Sequence, residues 1–315
     1  MKAVVINKYG SADVLTIANV NKPIPGRGEI LVEVRAVALN PVDYKIREGH
    51  LQELFAVTFP RILGGDVSGI VKELGQDSTD FKVGDEVFFA NPLNEDGGYA
   101  EFVKIDQKLV AKKPSNLNFE EMASFPVVGL TSIQALRDFG GLKKGMKVLI
   151  HAGAGGVGSF AIQYAKAMGA EVYTTASADK AEYVRSLGAD HVIDYQKEDF
   201  LDIAKKVGGM DIVFETNGGL NYPKSIQATK RGGAVPCIVN PPDADARALA
   251  EKLGVKTDFF LLQGKREDLN TIATLAAQGA VKPKISKILR LDDVREGHRL
   301  LESGRTQGKL VVSLQ

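Results

Sequence analysis

Residues 147–169 read KVLIHAGAGGVGSFAIQYAKAMG and carry the pattern in this chain with the most direct chemical meaning. Gly153, Gly155 and Gly158 fall at the G-x-G-x-x-G spacing of a turn that binds the phosphates of a dinucleotide, with Gly156 and Val157 between them. Each glycine is expected to do a separate job. The first permits a tight turn, the second lets a pyrophosphate approach the backbone, and the third lets the following helix lie close on its strand. The phosphates would then meet free N–H groups at the positive end of a helix.

Such a turn works only between a strand and a helix. Val148, Leu149 and Ile150 form a short apolar run before it, and Val157, Phe160, Ala161, Tyr164, Ala165 and Met168 recur at helical spacing after it. Gly169 then closes the helix as a C-cap. Glu171 to Thr175 reads as a second strand, Asp179 to Leu187 as a helix and His191 to Asp194 as a third strand, which completes a β-α-β-α-β unit. The end of the second strand decides the cofactor. NAD enzymes place a carboxylate there for the ribose 2′-hydroxyl, but this chain has Thr174, Thr175, Ala176 and Ser177. Ser177 and Lys180 could donate to a 2′-phosphate, so NADPH is expected, with Asp179 as the one opposing feature.

Composition narrows the partners. Lys and Arg number 40 against 39 Asp and Glu, a net charge of +1, so no electrostatic case exists for nucleic acid or a membrane surface. No apolar run approaches a membrane span and no secretory signal is visible at the start, so the expected location is cytoplasmic. The single cysteine, Cys237, excludes an internal disulfide and reads as a small buried hydrophobe.

Short alternating segments run to about residue 122: Lys2–Asn7, Glu29–Ala38, Val67–Glu73, Asp85–Ala90 and Tyr99–Ile105. With turn signals between them they describe a barrel-like domain of antiparallel strands. The segment Arg47 to Pro60, with Leu51, Leu54, Phe55, Val57 and Phe59, reads as a loop or short helix that either packs locally or forms a mobile cover over a pocket. Phe119 to Phe139 reads as one helix. Strands and helices then alternate, with strands at Asp211–Glu215, Ala234–Val239 and Lys256–Leu262, which predicts a doubly wound parallel sheet. A last strand, Lys309 to Leu314, suggests that the chain's end rejoins the first domain. The expected division is 1–122 and 265–315 for a substrate domain, with 123–264 inserted as the dinucleotide-binding domain.

The motifs NPVDYK (40–45), GGDVSG (64–69), VGDEV (83–87), GGYAEF (97–102), the glycine turn and GRTQGKLVV (304–312) follow one another in this order. Together they resemble the medium-chain dehydrogenase/reductase superfamily, on the side of its zinc-independent quinone oxidoreductases and enone or alkenal reductases. The resemblance covers nearly the whole chain. It implies an α/β architecture, a GroES-like β-barrel-type catalytic domain plus a Rossmann-like domain, with an active site between them. The zinc enzymes of that superfamily use two cysteines and a histidine, whereas this chain has one cysteine and reads Gly64-Gly65-Asp66 where they carry Gly-His-Glu. No metal is expected, and structural or surface roles are expected for His50, His151, His191 and His298.

The resemblance also implies roles for individual residues. Asn40, Lys45 and Thr131 would line the nicotinamide end, Asn217 and Val239 the ribose, and the backbone of Phe260, Leu261 and Leu262 the carboxamide. Tyr195 matches a phosphate-side tyrosine, and Lys309 would lie near the pyrophosphate. Asn40, Tyr44 and Lys45 are the candidate catalytic residues, the last two as hydrogen-bond donors to a substrate carbonyl. Asp43-Tyr44-Lys45 departs from the Thr-Tyr pair of many quinone reductases and favours the enone side. The expected reaction is hydride transfer to a quinone or to the C=C bond of an α,β-unsaturated carbonyl. An enoyl-thioester reductase and a non-catalytic NADPH-binding sensor or structural protein are the alternatives. A homodimer is expected, because the strand Lys256–Leu262 is apolar and would form a sheet edge that must be covered.

Overall fold

The computed structural model describes residues 1–54 and 56–314; Phe55 of the 47–60 segment lies outside them. The chain forms two compact units. One comprises Met1–Val127, Gly264–Gly279 and Pro283–Gln315, the other Val128–Gln263 and Ala280–Lys282.

In chain order the first unit supplies β1 (Lys2–Ile6), β2 (Thr16–Asn19), β3 (Glu29–Ala38), α1 (Pro41–Arg47), β4 (Arg61–Ile62), β5 (Asp66–Leu74), β6 (Glu86–Ala90), β7 (Phe102–Asp106), β8 (Ala111–Lys112) and α2 (Phe119–Ala123). Next come α3 (Pro126–Ile133), a π-helical stretch (Gln134–Phe139), β9 (Lys147–Ile150), α4 (Gly156–Ala167), β10 (Glu171–Ala176), α5 (Ala181–Ser186), β11 (His191–Asp194), α6 (Phe200–Lys206), β12 (Met210–Phe214), α7 (Asn221–Ala228), β13 (Thr229–Cys237), α8 (Ala244–Leu253) and β14 (Lys256–Phe259). The chain then returns to the first unit with α9 (Arg266–Ala277), β15 (Ile285–Arg290), α10 (Val294–Glu302) and β16 (Lys309–Ser313).

In the first unit a large sheet has the order β15-β16-β3-β5-β6-β8 with β7 also on β3, and a small sheet has the order β2-β1-β4. β3 is its spine. It is long enough to pair β7 through Glu29–Glu33 and β16 through Ala36–Ala38 on one side, and β5 on the other. The last strand therefore closes onto the first unit, antiparallel to β3 and parallel to β15.

The second unit is a parallel six-stranded sheet in the order β11-β10-β9-β12-β13-β14. This is the doubly wound order that reverses direction beside its first strand, where ligands bind at the carboxyl ends. Leu149, Tyr173, Val213 and Val235 of the strands pack with Phe200, Tyr222, Ile226 and the buried Cys237 into one core. The β-branched residues of the central strands β9, β10 and β12 are buried on both faces, as a parallel sheet covered by helices requires.

Several elements differ from the expected pattern. The helix foreseen over 119–139 is broken after Ala123, because Pro126 lacks an N–H and starts a new helix instead of continuing the old one. The segment 178–186 begins as a tighter 3-10 turn, Ala178–Lys180, before α5. α6 was not foreseen, although Asp199 caps it by accepting the Leu201 N–H at 2.9 Å. β14 does lie at the sheet edge, but it ends at Phe259 with Lys256 and Asp258 exposed, so its apolar part lies mainly beyond the strand.

Candidate functional site

The glycine turn joins the end of β9 to α4 at the centre of the parallel sheet. The left-handed residue that makes the turn is Ala152 (φ 49), not Gly153. Gly153 is needed for another reason: a Cβ there would lie 2.1 Å from Thr174 Oγ1 on β10. Gly158 is needed because its Cβ would fall 2.3 Å from the Ala152 carbonyl oxygen, which holds α4 tight against the turn. Gly155 is different. A Cβ there would meet nothing closer than that same carbonyl at 3.3 Å, so its outer face is open for a phosphate. Gly155 is the N-cap residue of α4, and the N–H groups of Gly156, Val157 and Gly158 in the first turn have no intrahelical acceptor. The donor geometry therefore fits a dinucleotide.

The other expected cofactor residues lie at the carboxyl ends of the same strands, except Thr131, which is buried on α3, and Lys309, which lies on β16 of the first unit. Ser177 follows β10 with its hydroxyl making no capping bond to the 3-10 turn it precedes, and Lys180 ends that turn. Tyr195, exposed, follows β11. Asn217 follows β12, Val239 follows β13, and Phe260, Leu261 and Leu262 follow β14. The Phe260 N–H donates to the Cys237 carbonyl at 2.7 Å and so extends the edge pairing by one residue.

In the first unit Asn40 and Lys309 have jobs other than those expected. Asp66 is fully buried and needs a counter-charge. Lys309 on β16 supplies it, donating to Asp66 Oδ2 at 2.8 Å, Asn40 Oδ1 at 2.6 Å and the Leu39 carbonyl at 3.0 Å. All three ammonium protons are thus engaged within this unit, and none is left for a pyrophosphate. Asn40, also buried, donates its two amide protons to Asp66 Oδ2 at 2.8 Å and to the Ala38 carbonyl at 3.5 Å. It anchors the start of α1 and has no free donor for a substrate.

Asp43, one residue before Tyr44, completes the cluster. Its Oδ2 accepts the Asn40 N–H at 2.8 Å and the Tyr99 hydroxyl at 2.9 Å. Burial pushes its carboxyl up to about 6, although those two donors and Lys309 pull the other way. The Tyr99 phenol is pushed well above its ordinary value, first by burial and then by Asp43. Arg47, fully buried at the end of α1, donates to the Gly10 carbonyl at 3.0 Å, to Glu302 at 2.6 Å and to His298 Nδ1 at 3.1 Å. Burial, reinforced by that guanidinium, holds the His298 imidazole down to about 3, so it is neutral. α1 is therefore fixed at both ends, and it presents Tyr44 and Lys45 between them. Burial, then Glu48 and Glu302, raise the Tyr44 phenol above its ordinary value, which keeps it protonated and able to donate.

The residues around Asp66 do not fit zinc. The chain has a single cysteine, buried in the second unit, and Lys309 already neutralises the Asp66 carboxylate. Among the described residues no group of three His, Cys, Asp or Glu is arranged to hold a metal ion. Among the described residues no helix is long and apolar enough to cross a membrane.

The GroES-like domain of alcohol dehydrogenases matches residues 26–115, the zinc-binding dehydrogenase family residues 187–312, and the C-terminal domain of the alanine dehydrogenase/PNT family residues 133–218. The 2-methylene-furan-3-one reductase of Solanum lycopersicum is 35% identical, over 99% of this chain and 79% of its own length. The chain belongs to the medium-chain dehydrogenase/reductase superfamily. Within it, the quinone oxidoreductase of Coxiella burnetii superimposes with a TM-score of 0.92 at 33% identity, covering 100% of this chain and 99% of the other. The Escherichia coli quinone oxidoreductase, whose structure contains NADPH, gives 0.91 at 29% identity over 99% and 100% of the two chains.

Two further residues that matter here carry signals of their own in the sequence. Asp43 stands three residues after Asn40, the spacing at which an N3 carboxylate returns to its N-cap backbone. Glu215 follows an apolar strand directly, and a buried carboxylate in that position must have partners. Lys309 could not be read in this way, because its partners depend on how β16 registers against β3.

Proposed function

We propose that this protein is an NADPH-dependent oxidoreductase that reduces quinones or the C=C bond of α,β-unsaturated carbonyls without zinc. The observation that carries this reading is the combination of an open Gly155 at the head of α4 with a β10 that ends at Ala176 without a carboxylate and is followed by Ser177 and, at the end of the next turn, Lys180. The pyrophosphate would rest on the N–H groups of Gly156, Val157 and Gly158, and the 2′-phosphate on Ser177 and Lys180. Asn217, Val239 and the 260–262 backbone are proposed for the nicotinamide half.

When bound, NADPH supplies a hydride. In an enone the new C–H bond forms at the β-carbon, the π electrons move to the carbonyl oxygen, and a proton then adds at the α-carbon. Tyr44 and Lys45 are the donors proposed for that oxygen as its charge grows. A conjugated acceptor spreads the charge over its own π system, so such hydrogen bonds suffice. A saturated ketone needs a metal or a strong acid. NADPH oxidation against quinones, enones and saturated carbonyls tests this, and fast turnover of the saturated compounds with enones and quinones inert refutes it. The exposed β14 edge supports a homodimer joined there, which sedimentation at micromolar concentration tests. A cytoplasmic location is proposed from composition alone, with cell fractionation as its check.

A further inference from the structure

Asn217 stands at the end of β12 in a loop without regular structure, followed by Gly218 (φ 68) and Gly219 (φ 58), both left-handed. What holds this loop is a carboxylate below it. Glu215 is 0% exposed; its Oε1 accepts the N–H groups of Asn217 at 2.8 Å and Gly218 at 2.9 Å, and its Oε2 accepts the Ser225 hydroxyl at 2.6 Å.

From there the direction of every proton follows. Ser225 spends its only proton on Glu215, so its oxygen must accept from His151 Nε2, 3.1 Å away. His151 therefore carries its proton on Nε2, and its Nδ1 accepts from the Thr175 hydroxyl at 3.2 Å. Thr175 Oγ1 in turn accepts the N–H of Ala152 at 3.0 Å, and Ala152 is the left-handed residue that starts the glycine turn. A second strut runs alongside, from the Thr216 hydroxyl to the His151 carbonyl at 2.9 Å. Every donor and acceptor in this line is satisfied by one carboxylate and one neutral imidazole. Burial lowers the His151 pKa and keeps it neutral, although Glu215 at 3.7 Å acts in the opposite direction.

We infer that Glu215, acting through Ser225 and His151, is a positioning residue that locks the Asn217 loop to the glycine turn, so that the two halves of the dinucleotide meet one rigid edge. This rests on the proposed cofactor site. The relay joins the ends of β9, β10 and β12 to α7, so displacing the loop would be felt at the nicotinamide half and hardly at the adenosine half. Glu215→Gln supplies a directional test. The amide oxygen must stay with the two backbone N–H groups, so its NH₂ donates to Ser225. Ser225 then donates to His151 Nε2, and the imidazole proton moves to Nδ1.

The experiment uses the full chain labelled with ¹⁵N-histidine, together with titrations of NADPH and of adenosine 2′,5′-bisphosphate, which lacks the nicotinamide half. His151 is expected as the neutral Nε2–H form between pH 6 and 8 and as Nδ1–H in Glu215→Gln. Glu215→Ala should weaken NADPH about 10- to 100-fold, leave the bisphosphate within about threefold, and be largely rescued by Glu215→Gln. Ser225→Ala removes one hydroxyl and no charge, and should show the same split with less risk to folding. An Nδ1–H or charged His151 in the unaltered protein, a tautomer that ignores Glu215→Gln, or equal losses for both ligands would overturn the inference. If the unaltered protein binds no NADPH while the tautomers are as expected, the cofactor reading falls and the relay stands.

Discussion

Asp43→Asn gives a stability change whose sign reverses the usual expectation for a carboxylate. The Asp43 carboxyl moves from an ordinary 3.8 to about 6 because burial outweighs its hydrogen bonds. The folded state therefore holds this proton more tightly than the unfolded state. About two pH units at about 1.4 kcal/mol each make roughly 3 kcal/mol, lost from the folded state as the pH rises from about 4 to about 6. Asparagine carries no such proton, and its amide oxygen still accepts from the Asn40 N–H and the Tyr99 hydroxyl. Below pH 4 the two proteins should be equally stable; at pH 7 the variant should exceed the parent by up to about 3 kcal/mol, a figure in which the opposing attraction of Lys309 is already included. Urea unfolding of both proteins from pH 4 to 8 measures this, and the difference between them isolates residue 43 from the other carboxylates. A variant less stable than the parent at pH 7, with a difference independent of pH, would show that the carboxylate is stabilised at its site and that the reasoning fails.

Lys180→Ala should weaken NADPH roughly 10- to 100-fold and leave NADH nearly unchanged, as fluorescence titration would show; equal losses would remove Lys180 from the 2′-phosphate. Lys45→Met should lower turnover of an enone by about 10- to 100-fold, or about 1.4 to 2.7 kcal/mol of barrier, as steady-state kinetics at saturating NADPH would show. Gly153→Ala should destabilise the protein by about 1–3 kcal/mol through the clash at Thr174, and Thr174→Ala on the same background should recover part of that loss in a thermal melt. Activity should survive prolonged treatment with chelators; stoichiometric zinc by elemental analysis, lost together with activity, would count against a zinc-free reaction.

What could be read from the sequence was whatever local pattern determines. The apolar run before the glycine turn, the helical spacing after it and the alternation that follows specified the parallel sheet, and the motif order specified the superfamily. Glycine spacing located the turn correctly but misattributed its geometry: Ala152 takes the left-handed conformation, and Gly153 is glycine because Thr174 crowds it from the neighbouring strand. That crowding arises from the pairing of β10 with β9, which no local window contains. The engagement of Lys309 with Asp66 is hidden from the sequence for the same kind of reason. Its spacing from the motifs says nothing about the register in which Val311 faces Ala38, and that register carries its ammonium to Asp66. Tyr44 and Lys45 were picked out by the motif resemblance alone, whereas the helix that carries them, which starts with Pro41 and is capped within its own first turn, was not read as one.

The pairing of Lys309 with Asp66 spans 243 residues. On a ribosome adding about 5–20 residues per second, Asp66 would wait roughly 12–50 s for its counter-charge. Throughout that interval the entire 128–263 segment emerges and needs nothing from β16 for its own sheet. The first unit, by contrast, holds a carboxylate it cannot bury and a β3 edge it cannot cover until the final strand arrives. Vectorial synthesis therefore makes the first unit to emerge the last to mature, and until then it is the part most in need of a chaperone.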